Sequence, residues 1–420
     1  MTLPPLPDLL AGMRVVAIPM RVRFRGVTTR EVALIRGPHG WGEFGPFLEY
    51  GPAEASRWLA CAIESAHHPW PDAVRTTVSV NATVPAVAPG EVAGVLARFP
   101  GCTTAKVKVV ERGQSLADDV ARVAEVRAAM GAAGRVRIDA NGGWSVDEAV
   151  AALSALARYD LEYVEQPCAT VEELRDLRIA LARAGVDVPI AADESIRKAE
   201  DPLRVRDLEA ADLIVVKVAP LGGVRSALAI VQECGLPAVV SSALDTSVGI
   251  SFGVALAAAL PSLEHACGLG TVALLAGDVT PSPLVPDHGS LMAGRVDVGG
   301  GPYPTDSFLG PAVARFVEKF PQVSVKLQSS DWDVLVHQLR SRTLDFFVAE
   351  TSLLAREPDL DVVPMPVRHP VYFFARAGHP LTAGSATIRA ADVMSWPFAA
   401  PSRIPPRVLD PMLAAHREGS

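Results

Sequence analysis

Short runs rich in Val, Ile and Ala, most of them ending on a polar residue, recur between residues 77 and 271, with Ala/Leu-rich stretches between them. The runs are TVSVNAT (77–83), AKVKV (105–109), VRIDAN (136–141), YVEQP (163–167), IAADES (190–195), LIVVKVAP (213–220), PAVVSSALD (237–245) and HACGLGT (265–271). The intervening stretches that read as helices include 144–158, 171–184, 199–209 and 222–234. Strand–helix alternation predicts parallel strands. Eight of them over about 200 residues suit a closed (β/α) barrel. A doubly wound open sheet is the alternative, but it does not need a polar residue at nearly every strand end.

The flanks break this rhythm. RVVAIPMRVRF, REVALIRG and GWGEFGPF alternate apolar and polar positions between turn glycines, which predicts an antiparallel meander over 14–50, followed by a helix over 52–68. On the other side, DVGGGPYPTD reads as a turn or linker and sets a boundary near 292–300. PAVARFVEKF beyond it is helical in pattern. PQVSVKLQ, DWDVLVHQLRSRTLDFFVAE, LDVVPMP and PVYFFARAGHPL follow as a second α/β unit with a Pro-rich end.

Composition narrows the function. With 420 residues, 49% of them hydrophobic, the chain can build two cores. A net charge of −8 argues against nucleic acid as the main partner, which would select a basic face. No apolar run reaches 18 residues, and MTLPPLPDLLAGM lacks the features of a signal peptide, so a cytoplasmic protein that does not enter the membrane is expected. Five scattered cysteines without a Cys-x-x-Cys pair read as reduced, mostly buried thiols. The expected partner is a small-molecule substrate.

Functional residues of a parallel barrel gather at the C-terminal strand ends. There the chain places Asn81, Lys106, Lys108, Asp139, Asn141, Glu165, Asp193, Lys217, Ser241, Ser242 and Asp245. Asp139, Glu165 and Asp193 are 26 and 28 residues apart, close to one barrel repeat, so they share one rim. Three bare carboxylates repel each other and raise each other's pKa values. A hard divalent cation removes that cost, and an all-oxygen donor set selects Mg²⁺, with Mn²⁺ as the alternative. Lys108 on the preceding strand and Lys217 on the following one would approach a bound ligand from opposite sides. Each piece has a plain reading by itself: a solvated Lys-x-Lys face, a turn at DAN, a strand end at EQP, an N-cap at DES. One such piece per strand, in order, is hard to obtain by chance.

AKVKV, VRIDANGGW, YVEQP, IAADES and VVKVAPLGG together resemble the enolase superfamily, in its muconate-lactonising-enzyme subgroup, over about residues 14–293. MRVRFRGVTTREVALI, GWGEFGPFLEY, VNATVPAV, QPCATVEELRDLR, SSALDTSVGI and HACGLGT resemble the actinobacterial o-succinylbenzoate synthases of that subgroup. The resemblance implies an α/β fold: a capping domain over 1–76, joined by part of 272–293, and a (β/α) barrel over 77–271. It implies a lyase of menaquinone biosynthesis that removes water, with syn geometry, from 2-succinyl-6-hydroxy-2,4-cyclohexadiene-1-carboxylate. Asp139, Glu165 and Asp193 would be the Mg²⁺ ligands, Lys108 the general acid/base, and Lys217 the cation that stabilises the enolate. Lysine with Mg²⁺ is the pairing generally associated with enolase-type sites. Lys108 must be neutral to take a proton, and the charge of Lys106 beside it, like the metal, is expected to favour that form.

Other residues carry two readings. Asn141 either supports the site or touches substrate, and Glu194 reads as structural or supporting. Ser241 and Ser242 could donate hydrogen bonds to a substrate carboxylate. Arg23 and Arg25 could reach the succinyl carboxylate or lie on the surface. Gly268–Thr271 either brings backbone amides to the ligand or turns the chain, and His265 reads as a packed strand residue. The catalytic set suits an N-succinylamino acid racemase equally, because that reaction also needs a lysine on each face. A reading of another class is a ligand sensor with an inactive barrel.

Residues 294–420 resemble a truncated effector-binding domain of LysR-type regulators, a partial periplasmic-binding-protein-like lobe. No winged helix-turn-helix precedes it, and ADVMSWPFAAPSR only opens the second lobe. The stretch reads either as an accidental fusion, with marginal stability or self-association, or as a sensor holding a small acid near Thr305 and Ser307 at a helix start.

Overall fold

The computed structural model describes residues 3–24, 26–197, 202–281, 283–293, 295–301, 304–319, 323–341, 344–349, 360, 362–363 and 365. The chain divides into two compact units, one running to Val296 and including Val313–Lys326, the other made of Asp297–Ala312 and the chain from Leu327 on.

The first unit opens with a short helix, α1 (Leu6–Ala11), and the expected meander of β1 (Arg14–Phe24), β2 (Val27–Gly37) and β3 (Gly40–Phe44), all antiparallel. Helix α2 (Pro52–His67) lies across this sheet. Leu9, Ile35, Ala62 and Ile63 form the seam. The approach is close because Gly42 has no side chain: a Cβ there would lie 1.9 Å from the carbonyl oxygen of Ala62.

The TVSVNAT run splits in two. β4 (Thr77–Ser79) pairs antiparallel with β12 (Ser290–Met292), whereas β5 (Ala82–Val84) starts the barrel. Parallel pairing then runs through β6 (Thr104–Lys108), β7 (Arg135–Asp139), β8 (Leu161–Glu165), β9 (Ile190–Ala192), β10 (Leu213–Lys217) and β11 (Ala238–Ser241). The expected eighth strand shrinks to two bridges, Cys267 to Val80 and Gly268 to Ser241. Hydrogen bonds from Asn81 N to Cys267 O (2.9 Å) and from Gly268 N to Val240 O (2.8 Å) close the ring there. A Cβ at Gly268 would lie 2.5 Å from Ser241 Oγ, so a larger residue would push the Ser241 side chain aside.

Helices cover the barrel because its strands are buried on both faces and read as continuous Val/Ile/Ala runs. α4 (Leu116–Met130), α5 (Val146–Leu156) and α6 (Val171–Ala184) each begin with a capping box. Ser115, Ser145 and Thr170 exchange hydrogen bonds with Asp118, Glu148 and Glu173. α9 (Val224–Cys234) and α10 (Ser247–Ala259) complete the cover, with the short helices α3 (Val92–Leu96), α7 (Glu194–Arg197) and α8 (Arg204–Asp207). The helix expected over 199–209 is therefore only the single turn α8 among the described residues. Four cysteines are buried and Cys102 is partly so, all with free thiols. Among the described residues no helix is long and apolar enough to cross a membrane.

After the barrel come β13 (Arg295–Gly300), β14 (Ser324–Ser329) and β15 (Phe346–Val348); within the second unit β13 pairs in parallel with β15 through Val298–Gly300. There a helix covers 332–340, and Val298, Leu335, Val336 and Leu344 are buried. Thr305, expected at an acid-binding helix start, donates its hydroxyl to Gly301 O at 2.9 Å. The side chain of Ser307, all of Arg25 and the lobe expected from ADVMSWPFAAPSR onward lie outside the described residues.

Candidate active site

Strand register builds the site. Lys108 is the Cα partner of Asp139, and Asp139 is the partner of Glu165. Paired residues of parallel strands share a face, so these three side chains enter the barrel at one level. The second pairing depends on a bulge. Val136 faces Leu161, but Ile138 faces Val164, so β8 carries one extra residue. Without it Asp139 would face Val164, and Glu165 would fall out of line.

The bulge is held by Arg137, which is fully buried. Its Nε donates to Glu162 Oε2 (2.9 Å), and its Nη1 donates to Tyr163 Oη (2.7 Å) and to Ala266 O beside the closing bridges (2.9 Å). One side chain thus ties β7, the two bulge residues and the reduced eighth strand. His265, expected as a packed strand residue, instead lies partly exposed just ahead of the bridges, with Nδ1 2.9 Å from the same Glu162.

Lys106 Nζ donates to both oxygens of Glu165 (3.0 and 3.2 Å) and lies 3.4 Å from Asp139 Oδ2. Lys108 Nζ lies 3.9 Å from Asp139 Oδ1 and donates to Asn141 Oδ1. Lys217 pairs with Asp193, which also accepts from Arg197 Nε at 3.1 Å. In the ring of eight positions, β6 and β10 stand four apart. The strand bearing Lys108 therefore faces the strand bearing Lys217 across the barrel mouth.

Electrostatics follow from burial and neighbours. Burial works against the Lys106 ammonium, but Glu165 and Asp139 outweigh it and its pKa is raised. Asp193 would be raised by burial, yet Lys217 and Arg197 hold it well below the usual carboxylate range. Burial pulls Lys217 down against the pull of Asp193. Glu165, the central carboxylate, is pushed up to about 7 by burial and by Asp139 and Asp193, against the opposing pull of Lys106. The Lys106 ammonium, expected to act on Lys108 through its charge, is itself tied to Glu165 and Asp139.

The donor set fits a divalent cation. Three buried carboxylates offer only hard oxygen atoms. Lysine ammonium groups already face each of them, so cations are accepted where a metal would sit. Among the described residues no three His, Cys, Asp or Glu side chains converge as a ready-made metal cluster. On β5 Thr83 is the partner of Lys106, and its Oγ1 is buried without a hydrogen-bond partner; Asn81, expected at a C-terminal strand end, instead precedes β5, with its Oδ1 likewise unpartnered. Such atoms persist where a ligand or water can satisfy them.

Ser241 lines a cavity beside Lys217, together with Glu43, Trp58, Asp245 and Phe252. Ser242 does not join it. Its hydroxyl donates to Gly268 O (2.7 Å) and meets Thr271 Oγ1 (2.8 Å), so in this structure it serves the closing strand. Arg23 is exposed on β1.

Comparison with known proteins settles the relationship. Residues 15–66 match the family model of the enolase N-terminal domain-like fold, and 91–301 that of the enolase C-terminal domain-like fold. An o-succinylbenzoate synthase of Thermobifida fusca is 64% identical over 285 residues, covering 68% of this chain and 88% of that protein. One of Mycolicibacterium smegmatis is 63% identical over 289 residues, covering 69% and 87%. The chain belongs to the o-succinylbenzoate synthase family. Among solved structures, the L-Ala-D/L-Glu epimerase of Bacillus subtilis (TM-score 0.57, 24% identity) and the muconate lactonizing enzyme of Pseudomonas putida (0.55, 19%) share its fold. Each match covers 67% of this chain, and 95% and 93% of those chains. Residues 289–418 match the LysR substrate binding domain.

Three supports of this synthase-family site escape a reading by strand ends. Gln166 follows Glu165 with a positive φ of 39°, and its Oε1 accepts from Asp193 N (2.9 Å) and Ser195 N (3.1 Å). Arg137 pins the bulge. Arg197 grips Asp193 from α7, and its only sequence signal is a basic residue four positions after Asp193.

Proposed function

We propose that this chain removes water from 2-succinyl-6-hydroxy-2,4-cyclohexadiene-1-carboxylate to give o-succinylbenzoate, a cytoplasmic step of menaquinone biosynthesis. The observation that carries the reading is the pair of lysines on opposite strands with three carboxylates between them, in a chain 60–64% identical to o-succinylbenzoate synthases. Asp139, Glu165 and Asp193 would hold Mg²⁺, or Mn²⁺ in its place. When bound, that cation supplies Lewis-acid stabilisation of negative charge on the substrate carboxylate.

The residues of the chain then divide the work. Lys108 takes the proton from the ring carbon that bears the carboxylate. It returns that proton to the hydroxyl leaving the neighbouring carbon on the same face, so water departs syn and the ring becomes aromatic. Lys217, approaching from the opposite face, stabilises the charge that develops when the C–H bond breaks. Asn141 accepts a hydrogen bond from Lys108 and orients it. These side chains all belong to the first unit. A racemase acting on N-succinylamino acids would use the same two lysines.

A paired assay with Mg²⁺ separates the two activities: dehydration of the cyclohexadiene against racemisation of N-succinyl amino acids. Dehydration is expected to dominate, and Lys108→Ala to lower it by about 10³-fold or more. Wild-type protein without dehydration, or a Lys108→Ala variant of undiminished rate, would sink the proposal.

A further inference from the structure

Arg197 holds more of the site than Asp193. It is buried, and its guanidinium makes three separate contacts. Nε donates to Asp193 Oδ1 at 3.1 Å, Nη2 pairs with Glu194 Oε1, and Nη1 donates to the phenolic oxygen of Tyr50. Tyr50 stands 147 residues away in sequence, in the loop between β3 and α2 of the capping domain. Its ring is fixed by Trp58 (centroids 5.7 Å) and Phe47 (6.1 Å), and its amide donates to Phe47 O (3.0 Å). The Tyr50 hydroxyl is therefore a direct tie between this loop and the barrel, beside the one that Arg30 makes between Gly45 O and Leu244 O.

Beyond Arg197 the network branches. Asp193 is the partner of Lys217. Glu194 Oε1 also accepts from Asn141 Nδ2 at 3.1 Å, and Asn141 Oδ1 accepts from Lys108 Nζ. One guanidinium thus connects the capping loop to both lysines, through Asp193 on one side and through Glu194 and Asn141 on the other. A lysine at 197 could not reproduce it, because three contacts in fixed directions need the planar fork.

We infer that Arg197 is a positioning residue: it couples the capping loop at 45–51 to the placement of both lysines, so that one side chain both holds the loop and aligns the proton-transfer groups. Its kinetic consequences rest on the dehydration proposed above, but its consequences for the loop do not.

Full-length wild type, Tyr50→Phe, Arg197→Lys and the double variant test this by two measurements. The first is hydrogen exchange of residues 45–51 in protein without added metal. Loss of one hydrogen bond to a charged group should speed exchange there by about tenfold in each single variant, while α4 keeps its wild-type protection. The second is dehydration kinetics with Mg²⁺. Tyr50→Phe should raise KM several-fold with kcat nearly kept, and Arg197→Lys should lower kcat by about 10²-fold. In the Arg197→Lys background Tyr50→Phe should add little, since the bond between the two side chains is already lost. Additive effects of the two substitutions, or loop exchange unchanged in Tyr50→Phe, would overturn the inference. If Arg197→Lys does not fold, the exchange and the KM of Tyr50→Phe decide by themselves. Wild type that lacks dehydration but shows the exchange pattern would refute the proposed function and leave the coupling standing.

Discussion

Strand β8 carries two glutamates three residues apart, and they meet opposite fates. Glu162, at the barrel floor, is set among Arg137, Arg135 and His265. Burial raises it, but those partners outweigh burial and hold its carboxyl down at about 2. Glu165, at the rim, has Lys106 as its cation and a carboxylate on either side, and is pushed up to about 7. Both clusters are enclosed and charged. The floor satisfies its charges internally and ties strands together. At the rim, like charges crowd beside the unpartnered Thr83 Oγ1. Buried charge alone does not mark a functional site; a ligand is implied where like charges crowd together, as the three carboxylates do at the rim.

The sharpest way to break this contrast is to remove one cation from each cluster. Lys108→Ala should abolish most turnover and leave the melting temperature within a few degrees of wild type. Arg137→Met should cost about 3–5 kcal/mol of stability, because it leaves Glu162 and Tyr163 without their partner and frees the bulge. Urea denaturation beside kinetics checks both. A Lys108→Ala variant as unstable as Arg137→Met would erase the distinction.

A smaller effect separates the two kinds of carboxylate by pH. Glu43, on β3, sits beside Asp245, and burial and that neighbour push it up to about 7 against the pull of Arg30 and of its hydrogen bonds from Thr246 and Gly249. A folded-state pKa above the unfolded one means that the native state binds the extra proton, so stability falls as pH rises from about 4.5 to about 7. Glu162 has the opposite sign: its contribution is present above about 4.5 and is lost as pH falls toward about 2. Glu43→Gln should therefore gain about 1–3 kcal/mol over wild type at pH 8 and little at pH 5. Melting curves at the two values test it; an equal gain at both would remove the titration argument. The smallest change is at strand closure. Ser242→Ala should cost about 1 kcal/mol by losing its bond to Gly268, with kcat/KM nearly unchanged. A loss of activity without loss of stability would return Ser242 to the substrate.

Much of this was legible in one dimension. The period of apolar runs and helical stretches predicts the barrel, and the polar residue closing each run predicts which side chains meet at its mouth. Lys106, Lys108, Asp139, Glu165, Asp193 and Lys217 all stand there because parallel strands deliver their C-terminal ends to one rim. Strand period says nothing of the bulge at 162–163, since one inserted residue shifts register without leaving a compositional trace. Nor does it separate Ser241 from Ser242, whose fates turn on where the short eighth strand crosses.

The sequence by itself determined the charge of the site, its order around the barrel and the family to which the chain belongs. Tertiary structure alone decided the partners: Lys106 with Glu165, Arg137 with the bulge, and Tyr50 with Arg197 across 147 residues. The physical reason is range. Side-chain direction along a strand is set locally by the backbone, whereas a buried charge takes whichever opposite group the whole fold brings within hydrogen-bond reach.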